Sequence, residues 1–369
     1  MNTKINSLQA IMRSRNLPLL AITAGPDLLY LTGLGFHVSE RPAILLIPAN
    51  GQPSLIHPEL EAEKVKNRSI VPLSSFPYGE TKETWGHVVE EAMKTISDDA
   101  NRIGVISTNI RFLEMDLIHK ALPNLHFFAA DELFQALRMQ KSEQEISSIK
   151  KAIQIAEKAF METLKYIEIG RTEIEIAAQL VLNLYRFGSD AELPFSPIVA
   201  SGPNSADPHA IPVERIIQEG DLLVIDWGAS YDHYISDITR TVSMGKPSDK
   251  FTLIAKTVKE ANTRARETAK AGLPCNEVDR TTRMVINEAG FGEYFTHRTG
   301  HGIGMEAHEA PYISADYSKP LEVGNTFTIE PGIYLPGEGG VRIEDNIVIT
   351  DTGAETLTSL PRDLFIVES

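Results

Sequence analysis

The chain of 369 residues has one cysteine, Cys275, and two tryptophans. A lone cysteine excludes an internal disulfide and any thiolate-rich zinc site, and it fits a reducing compartment. Basic residues are also short: 35 Lys and Arg face 50 Asp and Glu, for a net charge of −15. Nucleic acid and anionic membrane surfaces attract clustered Lys and Arg, so neither is expected as a partner. No apolar stretch approaches the ~20 residues of a membrane-spanning helix. Met1–Ile22 lacks the basic start and unbroken apolar run of a secretory leader, so a cytoplasmic protein is expected. Hydrophobic residues make up an ordinary 42%, and the chain is long enough for two separate cores.

The first part, residues 1–135, alternates strand-like and helix-like segments and reads as a small α/β domain. Leu19–Thr23 and Asp27–Thr32 are short apolar runs, and Asn50-Gly51 between Ala43–Pro48 and Pro53–His57 is a hairpin signal. Thr84–Ile96 has helical periodicity, Ile103–Ser107 reads as a strand and Met115–Ala121 as a helix. His37 and His57 stand in no cluster of metal-type residues and read as surface or packing residues. In residues 136–369 the pattern changes. Ser142 with Glu145 forms a capping box opening a long amphipathic helix to Tyr166, and Thr172–Tyr185 is a second helix. Extended segments follow, and then the order repeats with helices over Asp249–Ala271 and Asn276–Ala289 and strands across Tyr294–Thr350. Two successive halves of paired helices and antiparallel strands indicate a duplicated α+β domain.

Asp221–Val242 is the segment around which the chemistry gathers. Leu222, Val224 and Asp226 share one parity of a strand, so the pattern that buries two aliphatics aims a carboxylate inward with them. Asp237 lies in the partner strand beyond Ile235. Two acids on one inward face repel each other and lose hydration unless a cation neutralises them. Downstream come His301 in His297-Arg298-Thr299-Gly300-His301-Gly302-Ile303-Gly304, Glu330 in Thr328-Ile329-Glu330-Pro331-Gly332, and Glu344 in Gly339-Gly340-Val341-Arg342-Ile343-Glu344-Asp345. Read as one strand, the last segment puts Arg342, Glu344 and Asn346 on one face and aliphatics on the other, a site-lining pattern. Four carboxylates and one imidazole carry about four negative charges, the balance of two divalent ions. The oxygen-rich set suits Mn2+, with Co2+, Fe2+ or Zn2+ as substitutes.

Asp226, Asp237, His301, Glu330 and Glu344, in that order and with those neighbours, resemble the five metal ligands of the pita-bread metallopeptidases, among them methionine aminopeptidase, aminopeptidase P and prolidase. The similarity spans roughly residues 143–350, and Asp27-Leu28-Leu29-Tyr30-Leu31-Thr32-Gly33 resembles the creatinase-type N-terminal domain. The resemblance implies a pita-bread catalytic domain behind a smaller α/β domain, and a homodimer. It implies that Asp237 and Glu344 bridge two metals, that Asp226 completes one site, and that His301 and Glu330 complete the other. A metal-bridging hydroxide would then attack a polarised carbonyl, with Glu330 serving catalysis as well as ligation. His209, after Val199–Pro208, matches a histidine placed over the substrate. His308, in His308-Glu309-Ala310-Pro311, matches one that meets the scissile carbonyl. His297 matches a substrate-contacting position, and Arg342 is expected to orient carboxylates from behind the ligands. In some relatives the N-terminal domain reaches a neighbouring subunit's active site, which leaves His37 as a candidate substrate contact.

The substrates so implied are small peptides with proline second. A dipeptidase must bind the free carboxylate after proline. Some prolidases place an Arg directly after the His-Glu-x-Pro element, but here that position is Tyr312, which leaves Arg298 or a residue of a partner subunit. The expected activity is Xaa-Pro dipeptidase, with aminopeptidase P on longer peptides as the alternative. A non-catalytic binding protein on the same fold is the alternative of another class. Methionine aminopeptidase lacks so large an N-terminal domain, and creatinase uses no metal.

Overall fold

The computed structural model describes residues 3–96 and 101–368. The chain forms two compact units, Met1–Leu137 and Arg138–Ser369. In the first, helices α1 (Thr3–Ser14), α2 (Pro26–Thr32), α3 (Ala62–Arg68), α4 (Lys82–Lys94) and α5 (Phe112–Ala121) accompany a six-stranded sheet. Its strands are β1 (Leu19–Thr23), β2 (Ile44–Pro48), β3 (Ser54–Pro58), β4 (Ser74–Tyr78), β5 (Arg102–Val105) and β6 (His126–Ala129), in the order β4-β3-β2-β1-β5-β6. The Asn-Gly signal forms the expected hairpin, with β2 antiparallel to β3 and Gly51 at φ +108°. Of the two apolar runs, Leu19–Thr23 is a strand and Asp27–Thr32 is helical. Pro26 presets φ at the helix start and Gly33, at φ 73°, stops it in the left-handed region. His57 is fully buried, its ring nitrogens 2.8 Å from Pro58 O and 2.8 Å from Ser75 Oγ, a packing residue as expected.

The second unit begins as helix α6 (Asp131–Met139) ends, and continues with α7 (Glu143–Leu164), whose capping box forms as read: Glu145 Oε2 accepts from Ser142 N–H at 2.7 Å. The buried stripe Ile149, Ile153, Ala156 and Phe160 packs against β8 (Leu222–Trp227). Phe160 stacks on Trp227 with centroids 4.5 Å apart, and Trp227 Nε1–H donates to Ala156 O at 2.9 Å. Full burial of each ring contributes roughly 1.5–3 kcal/mol, so the strand carrying Asp226 is held firmly from behind. Helix α8 (Glu173–Arg186) completes the first half, and α9 (Asp249–Thr268) with α10 (Cys275–Glu288) opens the second.

Strand β7 (Ile198–Ser201) and β8 pair antiparallel, as do β8 and β11 (Ile238–Met244), while β9 (Ser230–Tyr231) and β10 (Tyr234–Ile235) form a two-residue hairpin. Its turn puts Asp232 and His233 at positive φ, 51° and 66°, with His233 exposed. The second half contributes β12 (Gly300–Gly302), β13 (Glu309–Ile313), β14 (Thr326–Ile329), β15 (Gly332–Leu335), β16 (Gly339–Arg342), β17 (Asp345–Thr350) and β18 (Gly353–Thr356), and β19 (Phe365–Val367) then joins β11 in parallel. The sheets run β19-β11-β8-β7 and β13-β12-β14-β17-β18, with β15-β16 as a separate ribbon. The single strand expected through Arg342, Glu344 and Asn346 is in fact two. It breaks at Ile343-Glu344, where the chain leaves the ribbon and joins the five-stranded sheet.

Arg240, fully buried on β11, ties the half-sheets together. Its Nε donates to Pro361 O (2.8 Å), Nη1 to Thr239 O (2.8 Å) and Glu344 O (2.6 Å), and Nη2 to Asp345 Oδ1 (2.8 Å) and Leu360 O (3.0 Å). These contacts use all of the guanidinium's donors. Arg362 Nε adds a bond of 2.6 Å to Asp345 Oδ2. Burial opposes ionisation of Asp345, but Arg240 and Arg362 outweigh it and hold the carboxyl below its ordinary value. The stabilisation is therefore complete above the unfolded pKa of about 3.9 and is lost as pH falls through the lower folded value. In urea unfolding at neutral pH, Asp345→Asn should lower stability by about 3–5 kcal/mol, the scale for breaking a buried pair. The gap from wild type should narrow below about pH 4. A constant gap into that acid range would show that the charge of Asp345 is not what Arg240 uses.

Candidate metal centre

The second unit brings Asp226, Asp237, His301, Glu330 and Glu344 into one cluster, with Asp237, His301 and Glu344 buried and Asp226 and Glu330 half-buried. Asp226 sits near the end of β8, opposite Thr239 on β11. Asp237 occupies the break between β10 and β11, Glu330 the break between β14 and β15, and Glu344 the break between β16 and β17. His301 lies in β12, where the register shifts before Gly302. Its Nε2 is 3.3 Å from Glu330 Oε1 and 3.7 Å from Asp237 Oδ2. Ligand atoms of Asp237, His301 and Glu344 fall within 4.8 Å of one another. His301 Nδ1 lies 3.3 Å from Gly302 O, an acceptor only, which places an N–H at Nδ1 and leaves Nε2 as the nitrogen turned to the acids. Gly300 is needed beside it, because a Cβ there would stand 1.9 Å from Thr328 O.

Residues outside the five clustered ones hold this frame, and of Thr239, Asn346, Thr328 and Tyr334 only Asn346 stood on the expected site-lining face. Thr239 Oγ1–H donates to Glu344 Oε2 at 2.8 Å and accepts from Arg342 Nε at 3.0 Å. Asn346 exchanges hydrogen bonds with the backbone of Asp237, and Thr328 Oγ1 accepts from His301 N–H at 3.2 Å. Tyr334 OH donates to His297 Nε2 (2.9 Å) and accepts from Arg342 Nη1 (2.9 Å). Burial pushes the Tyr334 phenol up to about 12. The signal for Thr239 and Asn346 was their two-residue spacing from Asp237 and Glu344, whereas nothing local marked Tyr334.

Electrostatics make the cluster a site for cations. Burial, and then Glu344, Asp226 and Glu330, raise Asp237 well above the carboxylate range, and burial with Glu330 and Asp226 does the same to Glu344. Burial also raises Asp226, although Arg342 Nη2 donates to its Oδ2 at 2.7 Å. The other oxygen, Asp226 Oδ1, is buried with no hydrogen-bond partner among the described residues. Burial works against ionisation of Glu330 too, but His301, with His297 and Arg342 beyond, brings it down to about 2. An oxygen-rich pocket with surplus negative charge and an unpartnered carboxylate oxygen fits divalent metal.

Around the cluster stand the other expected histidines. The His308 ring lies 4.3 Å from that of His301, nearly perpendicular to it. Desolvation, His301 and Arg298 bring its pKa down to about 4 although the residue as a whole is exposed, so it is neutral at pH 7. His209 is exposed on its loop, close enough to His297 and His308 to bear on both. His297 has both ring nitrogens engaged, with Nδ1 2.7 Å from Arg298 O and Nε2 on Tyr334. Glu309, directly after His308, is buried between Lys141 Nζ (2.6 Å from Oε1) and Arg138, two cations that local sequence did not connect to it. A cavity of about 930 Å3 lies elsewhere, bordered by Arg240, Lys256, Lys259, Ile343, Arg362 and Ile366, and none of the five clustered residues lines it.

Residues 147–351 match Metallopeptidase family M24, and residues 4–140 match the Creatinase/Prolidase N-terminal domain. The chain belongs to metallopeptidase family M24. The second unit of this M24 peptidase has the pita-bread fold, and a creatinase-type domain precedes it. Among its relatives is a Xaa-Pro dipeptidase of Pyrococcus horikoshii, 37% identical over 99% of both chains. A solved prolidase of Thermococcus sibiricus is similar with a TM-score of 0.92 at 34% identity, covering 99% of this chain and 98% of that one. A solved X-Pro aminopeptidase of Thermotoga maritima has a TM-score of 0.85 at 35% identity, covering 98% and 99%.

Arg342 contacts Asp226, Tyr334, Thr239 and Pro208 through a planar fork that lysine lacks. Arg342→Lys should therefore weaken Mn2+ binding by about 10–100-fold in isothermal titration, the scale for losing an outer partner of a ligand. Unchanged affinity would remove Arg342 from the metal centre.

Proposed function

We propose that this M24 peptidase is an Xaa-Pro dipeptidase, hydrolysing dipeptides with proline second by means of two divalent metal ions. The observation that carries it is the cluster of four carboxylates and one imidazole, buried at Asp237, His301 and Glu344 and half-buried at Asp226 and Glu330, in a chain matched end to end by an Xaa-Pro dipeptidase. Asp237 and Glu344 would bridge the ions, with Asp226 at one and His301 and Glu330 at the other. The ions would be Mn2+ by the oxygen-rich donor set. Bound there, they would supply Lewis acidity toward a carbonyl oxygen and toward water.

This chain's own residues would do the rest. Neutral His308, at the rim beside His301, can donate one N–H to the oxygen of the scissile carbonyl as charge develops on it. His209 would cover the substrate from the opposite loop, and Glu330 would take part in proton transfer. His297 and Arg342 would fix Tyr334 and Asp226 rather than react. No helix among the described residues is long and apolar enough to cross a membrane, and a cytoplasmic homodimer is part of the same proposal. A scaffold that had given up catalysis would have no use for the full ligand set.

Arg298 favours the dipeptide over longer peptides. Tyr312 is the cross-strand partner of His301, and the Arg298 guanidinium stacks over its ring at 5.1 Å. Among the described residues it has no carboxylate partner, although it is half-buried in an acidic chain. A cation beside the cluster suits the free carboxylate that follows proline.

With Mn2+ added, the enzyme should cleave Ala-Pro in preference to Ala-Pro-Ala, and Asp237→Ala should abolish this while circular dichroism shows an intact fold. A clear preference for the tripeptide would make the protein an aminopeptidase, and near-normal turnover by metal-replete Asp237→Ala would sink the metal assignment. Arg298→Ala should raise KM for Ala-Pro about tenfold or more, the loss of one charge-assisted contact, and leave hydrolysis of the Ala-Pro amide unchanged. Equal effects on acid and amide would show that Arg298 does not bind the carboxylate.

A further inference from the structure

Glu173, the first residue of α8, is fully buried. Its Oε1 accepts from Ser201 N–H (2.7 Å), Ser201 Oγ–H (2.7 Å) and Asn204 Nδ2 (3.1 Å), and its Oε2 accepts from Val213 N–H (3.1 Å). Ser201 ends β7, and Val213 lies where the chain returns from the loop bearing His209. One carboxylate thus grips both roots of that loop.

The first turn of α8 strengthens the grip. Glu173 N–H donates to Arg215 O (3.2 Å) and Ile174 N–H to Val213 O (3.4 Å), so amides left without helical partners are spent on the returning strand. Arg215 in turn donates to Ser201 Oγ (2.7 Å) and to Asp221 (2.6 and 2.9 Å). Further out, the loop docks on the ribbon through Gly340 N–H to Ser205 Oγ (2.8 Å) and Arg342 Nη1 to Pro208 O (3.2 Å). Gly340 leaves no room for error, since a Cβ there would stand 2.2 Å from Ser205 O. These anchors lie on either side of His209, which is exposed and close enough to His297 and His308 to bear on both.

We propose that Glu173 is a positioning residue for His209, fixing where the histidine stands over the substrate by clamping both roots of its loop. This rests on the reading of His209 as a substrate-facing residue of an Xaa-Pro dipeptidase. A carboxylate is required because it accepts from the backbone amides of Ser201 and Val213 at once. Glutamine would turn its NH2 toward one of those donors and release one root.

The test is a double-mutant cycle on Mn2+-loaded enzyme with Ala-Pro as substrate. Glu173→Gln should lower kcat/KM by about tenfold through misplacement of His209. Mn2+ affinity, read separately by titration, should not change. In a His209→Ala background the same substitution should add less than about twofold. A full tenfold loss in that background, or a parallel loss of Mn2+ affinity, would overturn the proposal, because Glu173 would then be acting elsewhere. Should Glu173→Gln fail to fold, Asn204→Ala removes a donor from the loop side and goes through the same cycle under the same criterion. If His209→Ala keeps wild-type turnover, His209 has nothing to be positioned for and the proposal falls. Hydrolysis of Ala-Pro by the unaltered enzyme would still stand as the measure of the activity itself.

Discussion

Mutual repulsion among Asp226, Asp237, Glu330 and Glu344 is the constraint around which the catalytic unit is built. Each is buried or nearly so, where water cannot screen them and where burial alone disfavours charge. Among the described residues one full positive charge, Arg342, stands at short range, and the only one of these acids it bonds is Asp226, through one oxygen. His301 serves Glu330 and Asp237. The charge left over, and the unpartnered Asp226 Oδ1, are what a metal would meet. Acids brought this close have to be held by a stiff frame, and the buried fork of Arg240 from β11 to Glu344, Asp345 and the 360–361 segment provides one.

The way the acids converge follows from where strands stop. Inside a continuous ladder, side chains alternate between two fixed faces and the backbone amides are committed to neighbours. Asp237, Glu330 and Glu344 stand instead at breaks, where the chain passes from one sheet or hairpin to the next. There the backbone can turn its carboxylates toward a common point, and bonds such as Glu330 N–H to Thr299 O (2.8 Å) and Glu344 N–H to Thr239 O (3.1 Å) secure the turns. The same geometry makes the glycines around the site obligatory where backbone meets backbone, as at Gly300.

Outside the acids lies a ring of groups suited to a short peptide, with His209, His308 and Arg298 on separate segments. None is placed by its own sequence neighbours alone. The segment of His308 is set by Glu309 between Arg138 and Lys141, the loop of His209 by Glu173 and Arg342, and Arg298 by the ring of Tyr312. The segments that carry these side chains are thus set by distant groups: a buried ion pair, a capped carboxylate and an aromatic ring.

Much of this could be read from the order of residues. The capping box at Ser142, the apolar stripe of α7, the Asn50-Gly51 hairpin and the duplicated run of helices and strands each depend on residues a few positions apart. Periodicity and turn chemistry operate over that range. The five clustered residues were legible because each sits in a short segment of distinctive composition, and their family resemblance spans roughly residues 143–350. The strand through Glu344 was misread as continuous, since alternation does not reveal which sheet a strand joins. Arg240 with Leu360, Glu309 with Arg138 and Glu173 with Val213 left no trace in the sequence. Such pairs depend on which distant carbonyls and amides come within hydrogen-bond reach, and only packing the sheets against their helices decides that.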